Sequence, residues 1–325
     1  MSKAMDLLAL LSDGCFQTGD DLGKQLGLSR SGIWKLMNKL TAEFGVDCHK
    51  VKGRGYCVPG GIQFLEGSLI SEVLSDTATA SLSAIEILPT IDSTNAYLLS
   101  KLREGLPSGH ACFAEYQSAG RGRRGRKWFS PFGCNIFLSL SWRFTHDFAA
   151  LEGLTLCIAI AVVRALRAYG IEGVEVKWPN DIFVEGKKLA GILVEMQAVA
   201  HIETSVVVGV GLNVSMPEQS SEHLDKPFVD VKEIVGQTPD RNRLAGFLLN
   251  ALLDVLSGFN QSSFSGFKDE WIKLDMLAGR AVELLVGENV IKGVARGVDD
   301  RGALLVETDG GLKSFHSGEV VFQKR

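Results

Sequence analysis

The sequence predicts an α+β protein of several domains: a winged helix-turn-helix at the N-terminus, a central domain on a mixed sheet, and a small β unit at the C-terminus. Three observations carry that prediction. The 325 residues, 46% hydrophobic and 22% charged, are more than one core usually serves. Short helical periodicities fill the first sixty residues, strand and helix patterns alternate from about 85 to 214, and strand patterns with hairpin turns fill 277–325. Charge is uneven as well: the chain carries a net −4, yet residues 24–54 hold seven basic side chains against two acidic ones. A basic patch on a mildly acidic protein points to a local polyanion site.

The first helix places Met5, Leu8 and Leu11 on one face and ends at Gly14. Thr18 starts a second, with Asp20 and Asp21 in the first turn, where the helix dipole favours acids. Leu22 and Leu26 form its apolar stripe and Gly27 ends it. After Gly27-Leu28-Ser29, with Ser29 as cap, a third helix turns Ile33, Leu36, Leu40 and Phe44 inward. Val46–Val51 and Gly55–Val58 then alternate like strands around Lys52-Gly53-Arg54-Gly55, a basic-tipped wing. A helix, a short glycine turn and a helix with basic and amide groups outward make the layout of a helix-turn-helix. The candidate DNA-binding residues are Ser29, Arg30, Ser31, Trp34, Lys35 and Asn38 on the helix, and Lys52 and Arg54 on the wing. The alternative is a helical cap with solvated charges; the wing and the charge concentration favour DNA.

Pro59-Gly60-Gly61 bounds this unit at 1–61. Residues 62–83, a helical stretch Leu65–Leu74 and the small polar run Ser75–Ser83, read as a linker. In the central domain, 84–274, Ser93-Thr94-Asn95 follows a strand and opens a helix to Leu102. Strands are expected at Cys112–Tyr116, Ile136–Trp142, Val174–Trp178, Ile182–Val184, Leu189–Met196 and Ile202–Val210, with helices at Leu154–Tyr169 and Arg241–Phe259. Trp271 is expected in the core beside the last unit, 275–325.

The most unusual segment is Gly120-Arg-Gly-Arg-Arg-Gly-Arg-Lys127, five cations in eight residues. It matches G-x-G-x-x-G formally, but that fingerprint must open a helix, and Trp128-Phe-Ser-Pro-Phe-Gly cannot be one. Its glycines let backbone approach a ligand, and its arginines can pair with phosphate or carboxylate. Five like charges repel, so the loop alone should be mobile until an anion orders it. Trp128 and Phe129 beside the charges argue against a merely solvated loop. Lys177-Trp-Pro-Asn-Asp181 holds a cation, an indole, an amide and a carboxylate at a strand end, stiffened by Pro179. In Lys187-Lys188-Leu-Ala-Gly-Ile-Leu-Val-Glu195, Lys188 enters an apolar strand, and Gly191 allows close approach; taken alone, Lys188 reads as a strand-edge lysine. Gly209-Val-Gly-Leu-Asn213 ends an apolar strand with an amide.

Other classes fall away. The longest charge-free stretch, Trp128–Trp142, is 15 residues with Pro131 inside, short of the roughly 20 apolar residues of a membrane span. The N-terminus has no signal-peptide pattern. Six cysteines with no CxxC pair and no histidine at metal spacing read as reduced thiols of a cytoplasmic protein, so no protein-held metal site is expected.

In this order Ser93-Thr94-Asn95, Gln117 before GRGRRGRKW, KWPNDI, GKKLAGILVE and GVGLNV resemble the biotin–protein ligases. The preceding winged helix makes the chain similar to their bifunctional bacterial type, at once ligase and repressor of biotin synthesis. The resemblance spans nearly the whole chain, with no motif in 215–240, and it implies an SH3-like barrel for the C-terminal unit. It implies that ATP, with Mg²⁺, and biotin form biotinyl-5′-AMP, which a lysine of the biotin carboxyl carrier protein then attacks. Lys188 and Arg123 would be catalytic. Ser93, Thr94, Asn95, Gln117, Arg121, Gly122, Arg123 and Lys188 would bind biotin. Arg121, Arg123, Trp128, Asn180, Asp181, Lys188 and Asn213 would bind the nucleotide. The partners implied are the carrier protein, operator DNA and a second copy of the chain. Here biotinyl-5′-AMP would be the corepressor, promoting a dimer beside the strand Gly191–Gln197. A lipoate ligase of the same central fold, and a ligand-sensing transcription factor without ligase activity, are the other readings.

Overall fold

The computed structural model describes residues 3–145, 151–200, 203–217, 220 and 226–322. Capping sets the N-terminal helices α1 (Lys3–Leu10), α2 (Gly19–Leu26) and α3 (Arg30–Phe44). Thr18 Oγ1 accepts the Asp21 N–H and Ser29 Oγ the Gly32 N–H, each at 3.1 Å. Gly27 and Gly45 close α2 and α3 at φ 65° and 66°, where only glycine is unstrained. Ile33, Met37 and Leu40 pack against Leu7, Leu8, Leu11, Leu22 and Leu26. At about 100° per residue, Leu36 and Met37 flank the Ile33–Leu40 line on opposite sides. Met37 is the buried one, and Leu36 and Phe44, expected inside, are half-buried. β1 (His49–Val51) and β2 (Gly55–Cys57) form the antiparallel hairpin, and Gln17 adds a backbone pair to Tyr56.

The stretch 62–83, expected as a linker, carries α4 (Gly67–Ser71) and α5 (Asp76–Ser81), which pack on α9 (Arg241–Ser262). Leu65, Ile70 and Ala78 enter the main core. The backbone N–H groups of Leu65, Glu66 and Ser75 donate to the side chains of Glu115 (2.7 Å), Asn242 (2.7 Å) and Asn250 (2.8 Å). The small polar residues that suggested flexibility instead cap a helix, Ser75 Oγ accepting the Ala78 N–H. Nearby, Arg241 and Glu115 form a buried ion pair of 2.8 Å, the guanidinium also donating to the Asn135 carbonyl at 2.7 Å. Such a pair is costly to break from one side, so it ties residues 63–65 to the central domain.

Seven strands make the central sheet: β3 (Ala84–Leu88), β4 (His110–Ala114), β5 (Asn135–Phe144), β6 (Val174–Lys177), β7 (Asp181–Val184), β8 (Lys187–Ala200) and β9 (Glu203–Asn213). Their spatial order is β3-β4-β5-β9-β8-β7-β6, with β3–β4 parallel and every other pair antiparallel. Alternation along each strand sends residues to opposite faces. Val206, Val208, Val210 and Leu212 of β9 join the core under α7 (Leu154–Tyr169) and α9. Val207, with Cys112, packs instead with Leu98 of α6 (Thr94–Arg103). Thus α6 covers one face, and the residues sharing that face include Gly209 and Gly211.

Two short helices, α8 (Val231–Val235) and α10 (Lys268–Ile272), lead to the C-terminal sheet. Trp271 is fully buried at this junction, as expected. The last sheet is antiparallel, with β10 (Ala281–Val286), β11 (Asn289–Val298), β12 (Leu304–Thr308), β13 (Gly311–Phe315) and β14 (Glu319–Phe322) in the order β13-β12-β11-β10-β14. Its core residues Val282, Leu284, Ala295 and Val306 are continuous with the central core. Among the described residues no helix is long and apolar enough to cross a membrane.

Candidate functional site

Register builds the floor of the site. β8 and β9 pair Gly191 with Gly211 and Leu193 with Gly209, and β5 brings Phe137 and Ser139 opposite the same two glycines of β9. Glycine is required here. A Cβ on Gly191 would stand 2.7 Å from Trp128 Cζ3, and one on Gly211 would stand 2.6 Å from Trp128 Cε2. The indole therefore lies flat on a bare strip of backbone. Around it opens a cavity of about 400 Å³ lined by the α6 N-terminus, the arginine-rich loop, the β6–β8 region and β14.

Ser93 caps α6, its Oγ accepting the Ala96 N–H at 3.4 Å, which brings Thr94 and Asn95 to the cavity wall. Gln117 Oε1 accepts from the Thr94 N–H (2.9 Å) and hydroxyl (3.1 Å). Ser139 Oγ lies 2.7 Å from Thr94 Oγ1 and donates to Asn95 Oδ1 at 2.6 Å. Asn95 Nδ2 in turn donates to Glu195 Oε2 at 2.9 Å. The result is a buried polar network whose orientations are mutually fixed.

The loop 120–127 opens no helix. Gly122 N–H bonds to the Arg126 carbonyl at 2.8 Å around a single turn, Arg123–Gly125, with Arg124 at φ 57°. Three of its five cations find partners within the protein. Arg121 Nη2 donates to both Glu195 oxygens (2.8 and 2.9 Å), Arg123 Nη1 donates to Asn180 Oδ1 (3.1 Å), and Arg126 pairs with Glu319 of β14. The sequence reading weighed only the five cations of the loop. Glu195 and Glu319, distant in sequence, supply counter-charge here. Burial alone would raise the Glu319 carboxyl, but Lys226 (3.0 Å) and Arg126 outweigh it and hold its pKa low.

Lys188 Nζ sits 2.7 Å from Asp181 Oδ1 and 5.2 Å from the centre of a Trp128 ring. It is a cavity-lining lysine, and the strand-edge alternative does not describe it. The structure brings together in this cavity Ser93, Thr94, Asn95, Gln117, Arg121, Gly122, Arg123, Trp128, Asn180, Asp181 and Lys188. Asn213 is the exception. It is buried outside the lining, and its Nδ2 donates to the carbonyls of Lys188 (3.3 Å) and Val229 (3.2 Å), so it positions the Lys188 backbone.

Sequence reasoning missed Lys177, Lys226, Glu319 and Phe322 in the lining, and Glu195 and Ser139 behind it. Desolvation lowers the Lys177 pKa, and its ammonium faces the rings of Phe322 (5.0 Å) and Phe183 (5.5 Å). Lys177 opens the KWPND motif and was readable as a cavity cation; the contribution of β14 had no local signal. Among the described residues no three His, Cys, Asp or Glu side chains gather as a metal site. The single carboxylate of Asp181 does fit a magnesium ion held mostly by substrate phosphates, the usual manner for that ion.

All eight candidate DNA-binding residues are exposed on the N-terminal unit, Arg54 lying 4.1 Å from the Phe16 ring centre. Phe132, four residues beyond Trp128, is buried in that unit's core and packs edge-on to Phe44 at 6.2 Å.

The model of the biotin/lipoate A/B protein ligase family matches residues 87–213, and that of the biotin protein ligase C terminal domain matches 278–323. The chain is 43% identical over 316 residues to the bifunctional ligase/repressor BirA of Escherichia coli, covering 97% of this chain and 96% of that one. It is 30% identical over 322 residues to the BirA of Bacillus subtilis, covering 97% of each. Among solved structures, the biotin protein ligase from Aquifex aeolicus in complex with biotin and ATP is 29% identical, with a TM-score of 0.63 over 75% of this chain and 100% of that one.

Proposed function

The chain belongs to the biotin/lipoate A/B protein ligase family, and we propose that the cavity over the Gly191–Gly211 floor is where it activates biotin. It is an ATP-dependent biotin–protein ligase that also serves as a repressor. The biotin carboxylate attacks the α-phosphorus of ATP, the bond to the leaving pyrophosphate breaks, and biotinyl-5′-AMP forms. A lysine amine of the biotin carboxyl carrier protein then attacks the acyl carbon, and AMP leaves. The first step moves negative charge from carboxylate to pyrophosphate; the second forms the amide C–N bond, breaks the C–O bond to AMP, develops charge on the departing AMP oxygen and releases the amine's proton to solvent, so fixed cations are the useful catalysts.

Lys188 and Arg123 serve that role, Lys188 by exchanging Asp181 for substrate oxygens. Arg121 and Arg123, with Gly122 allowing close approach, clamp the phosphate and carboxylate. Ser93, Thr94, Asn95 and Gln117 orient the ureido ring, and Trp128 and Asn180 enclose the nucleotide. Asp181 would hold the Mg²⁺ that accompanies the nucleotide, and that ion would supply screening of the phosphate charge. One observation carries this assignment: Lys188 Nζ reaches over the glycine floor in the same cavity as Arg123 and the fixed Thr94–Gln117–Ser139 network. With Mg-ATP, labelled biotin should pass to a single lysine of the carrier domain. Label entering from lipoate and not from biotin would move the chain to the lipoate branch.

Residues 1–61 act as a winged helix-turn-helix, 84–274 as the catalytic domain and 275–325 as an SH3-like unit, with 62–83 packed against the second. The repressor function uses the exposed face of α3 and the wing on operator DNA. A ligand-promoted homodimer matches a palindromic site. Its support is the edge of β8: β7 pairs only as far as Gly191, and Ile192 N–H goes to the Asn180 carbonyl, so that no backbone of the described residues pairs with Leu193–Gln197 on that side. The linkage of adenylate to dimer is tested by sedimentation equilibrium with and without a non-hydrolysable adenylate analogue. An association constant unchanged by the analogue would remove the corepressor role and leave the ligase assignment intact.

A further inference from the structure

Trp34 is 48% exposed, the most exposed tryptophan side chain among the described residues. Its side chain has no hydrogen bond, ion pair or ring contact among the described residues. A lone exposed apolar residue ordinarily carries no message. This one sits on the outward face of α3, in a row with Arg30 and Asn38 at i−4 and i+4. Arg30, Lys35 and Lys39 share its helix, and Lys50, Lys52 and Arg54 lie on the wing hairpin, all exposed. Asp20 lies 4.0 Å from Arg30 and Glu43 3.6 Å from Lys39, which leaves the other four without an ion-pair partner among the described residues. A protein partner would have to bury the indole on a unit with a net basic surface, whereas a polyanion neutralises those cations as it covers the indole.

We propose that Trp34 reads thymine, its ring packing on a C5-methyl group in the major groove of duplex DNA. This rests on the DNA-binding reading of residues 1–61. In that reading the N-terminal half of the recognition helix meets base edges, and Trp34 is the fifth residue of α3. The one apolar group a major groove offers is the thymine methyl. Asn38, one turn on, has the paired donor and acceptor that match adenine. The row Arg30–Trp34–Asn38 therefore fits a half-site containing A·T pairs at adjacent steps.

Removing the methyl without altering pairing gives the test. Full-length protein with biotin and Mg-ATP selects duplexes from a random-sequence pool. The selected duplex is then remade with deoxyuridine replacing each thymine in turn. One symmetry-related pair of positions should weaken wild-type binding by about 4-fold per methyl lost. Trp34→Ala should bind the all-thymine duplex about 10-fold more weakly and be indifferent to uracil at that position. Its ligase rate should equal wild type, since Trp34 is not among the residues lining the cavity. A variant that keeps the wild-type sensitivity, or a wild type sensitive nowhere, overturns the thymine contact alone. Failure of the pool to enrich any sequence overturns it together with the DNA-binding reading.

Discussion

Substituting Gly211 by alanine adds a single methyl group to the floor of the cavity and tests whether that floor is a designed slot. The backbone there is not left-handed, so alanine is tolerated without strain. Its Cβ would stand 2.6 Å from Trp128 Cε2, 2.8 Å from Nε1 and 2.9 Å from Cζ2. Ordinary contact begins at 3.4 Å, so the flat group on the strip must lift by roughly 0.8 Å. Overpacking of this kind costs about 1–3 kcal/mol, which in affinity is about 5- to 150-fold. The cost falls on the flat group on the strip, in this structure the Trp128 indole, so it is felt in the folded chain as well as in the cavity. We expect Gly211→Ala to stay folded and melt about 2–10 °C below wild type, while kcat/KM for biotin falls by about 10- to 100-fold. The assay is biotin titration of adenylate formation at saturating ATP, beside a thermal melt. Wild-type kcat/KM in a folded variant would refute the slot.

Two other outcomes follow from charge. Lys35→Ala and Lys52→Ala should each lower the slope of log DNA affinity against log salt by about 0.9 if each meets one phosphate, measured by fluorescence anisotropy between low and high salt. An unchanged slope would place that lysine off the DNA. Burial raises the Asp275 carboxyl to about 6, against about 3.9 in an unfolded chain. The folded state then holds the proton more tightly, so the stability cost of ionising Asp275 grows above about pH 4 and is complete above about pH 6. Asp275→Asn keeps an oxygen for the Leu277 N–H (2.8 Å) and should match wild type near pH 4. By pH 8 it should gain about 2–3 kcal/mol in urea unfolding; a pH-independent difference would contradict the burial argument.

Local chemistry was the legible part of this molecule. Thr18, Ser29 and Ser93 announce their helices because a cap is decided within four residues. Leu154–Tyr169 keeps its expected bounds because the apolar run ends at a left-handed Gly170. Arg123, Asn180 and Asp181 were legible as ligand groups because their segments gather charged and polar side chains beside aromatic ones, whereas Lys188 read by its own segment as a strand-edge lysine and took its role only from the family resemblance. What failed to show was everything set by long-range pairing. Glu195 reads as a strand residue until β8 places it beside Arg121 and Asn95. Glu319 meets Arg126 across 193 positions of sequence. The run 75–83 looked flexible because Ser, Thr and Ala suit linkers and close helix contacts equally well, and only α9 decides between them. Asn213 ends its strand as expected, but its amide is spent on two carbonyls behind the cavity wall.

The central claim is that this cavity joins biotin to AMP through Lys188 and its neighbouring cations. Exchange of labelled pyrophosphate into ATP measures that step alone, before any acceptor lysine is needed. The account requires exchange only when biotin is present, and a fall of about 10²–10³ in its rate for Lys188→Ala in a chain that still melts like wild type. Exchange without biotin, or a Lys188→Ala chain exchanging at the wild-type rate, would contradict it.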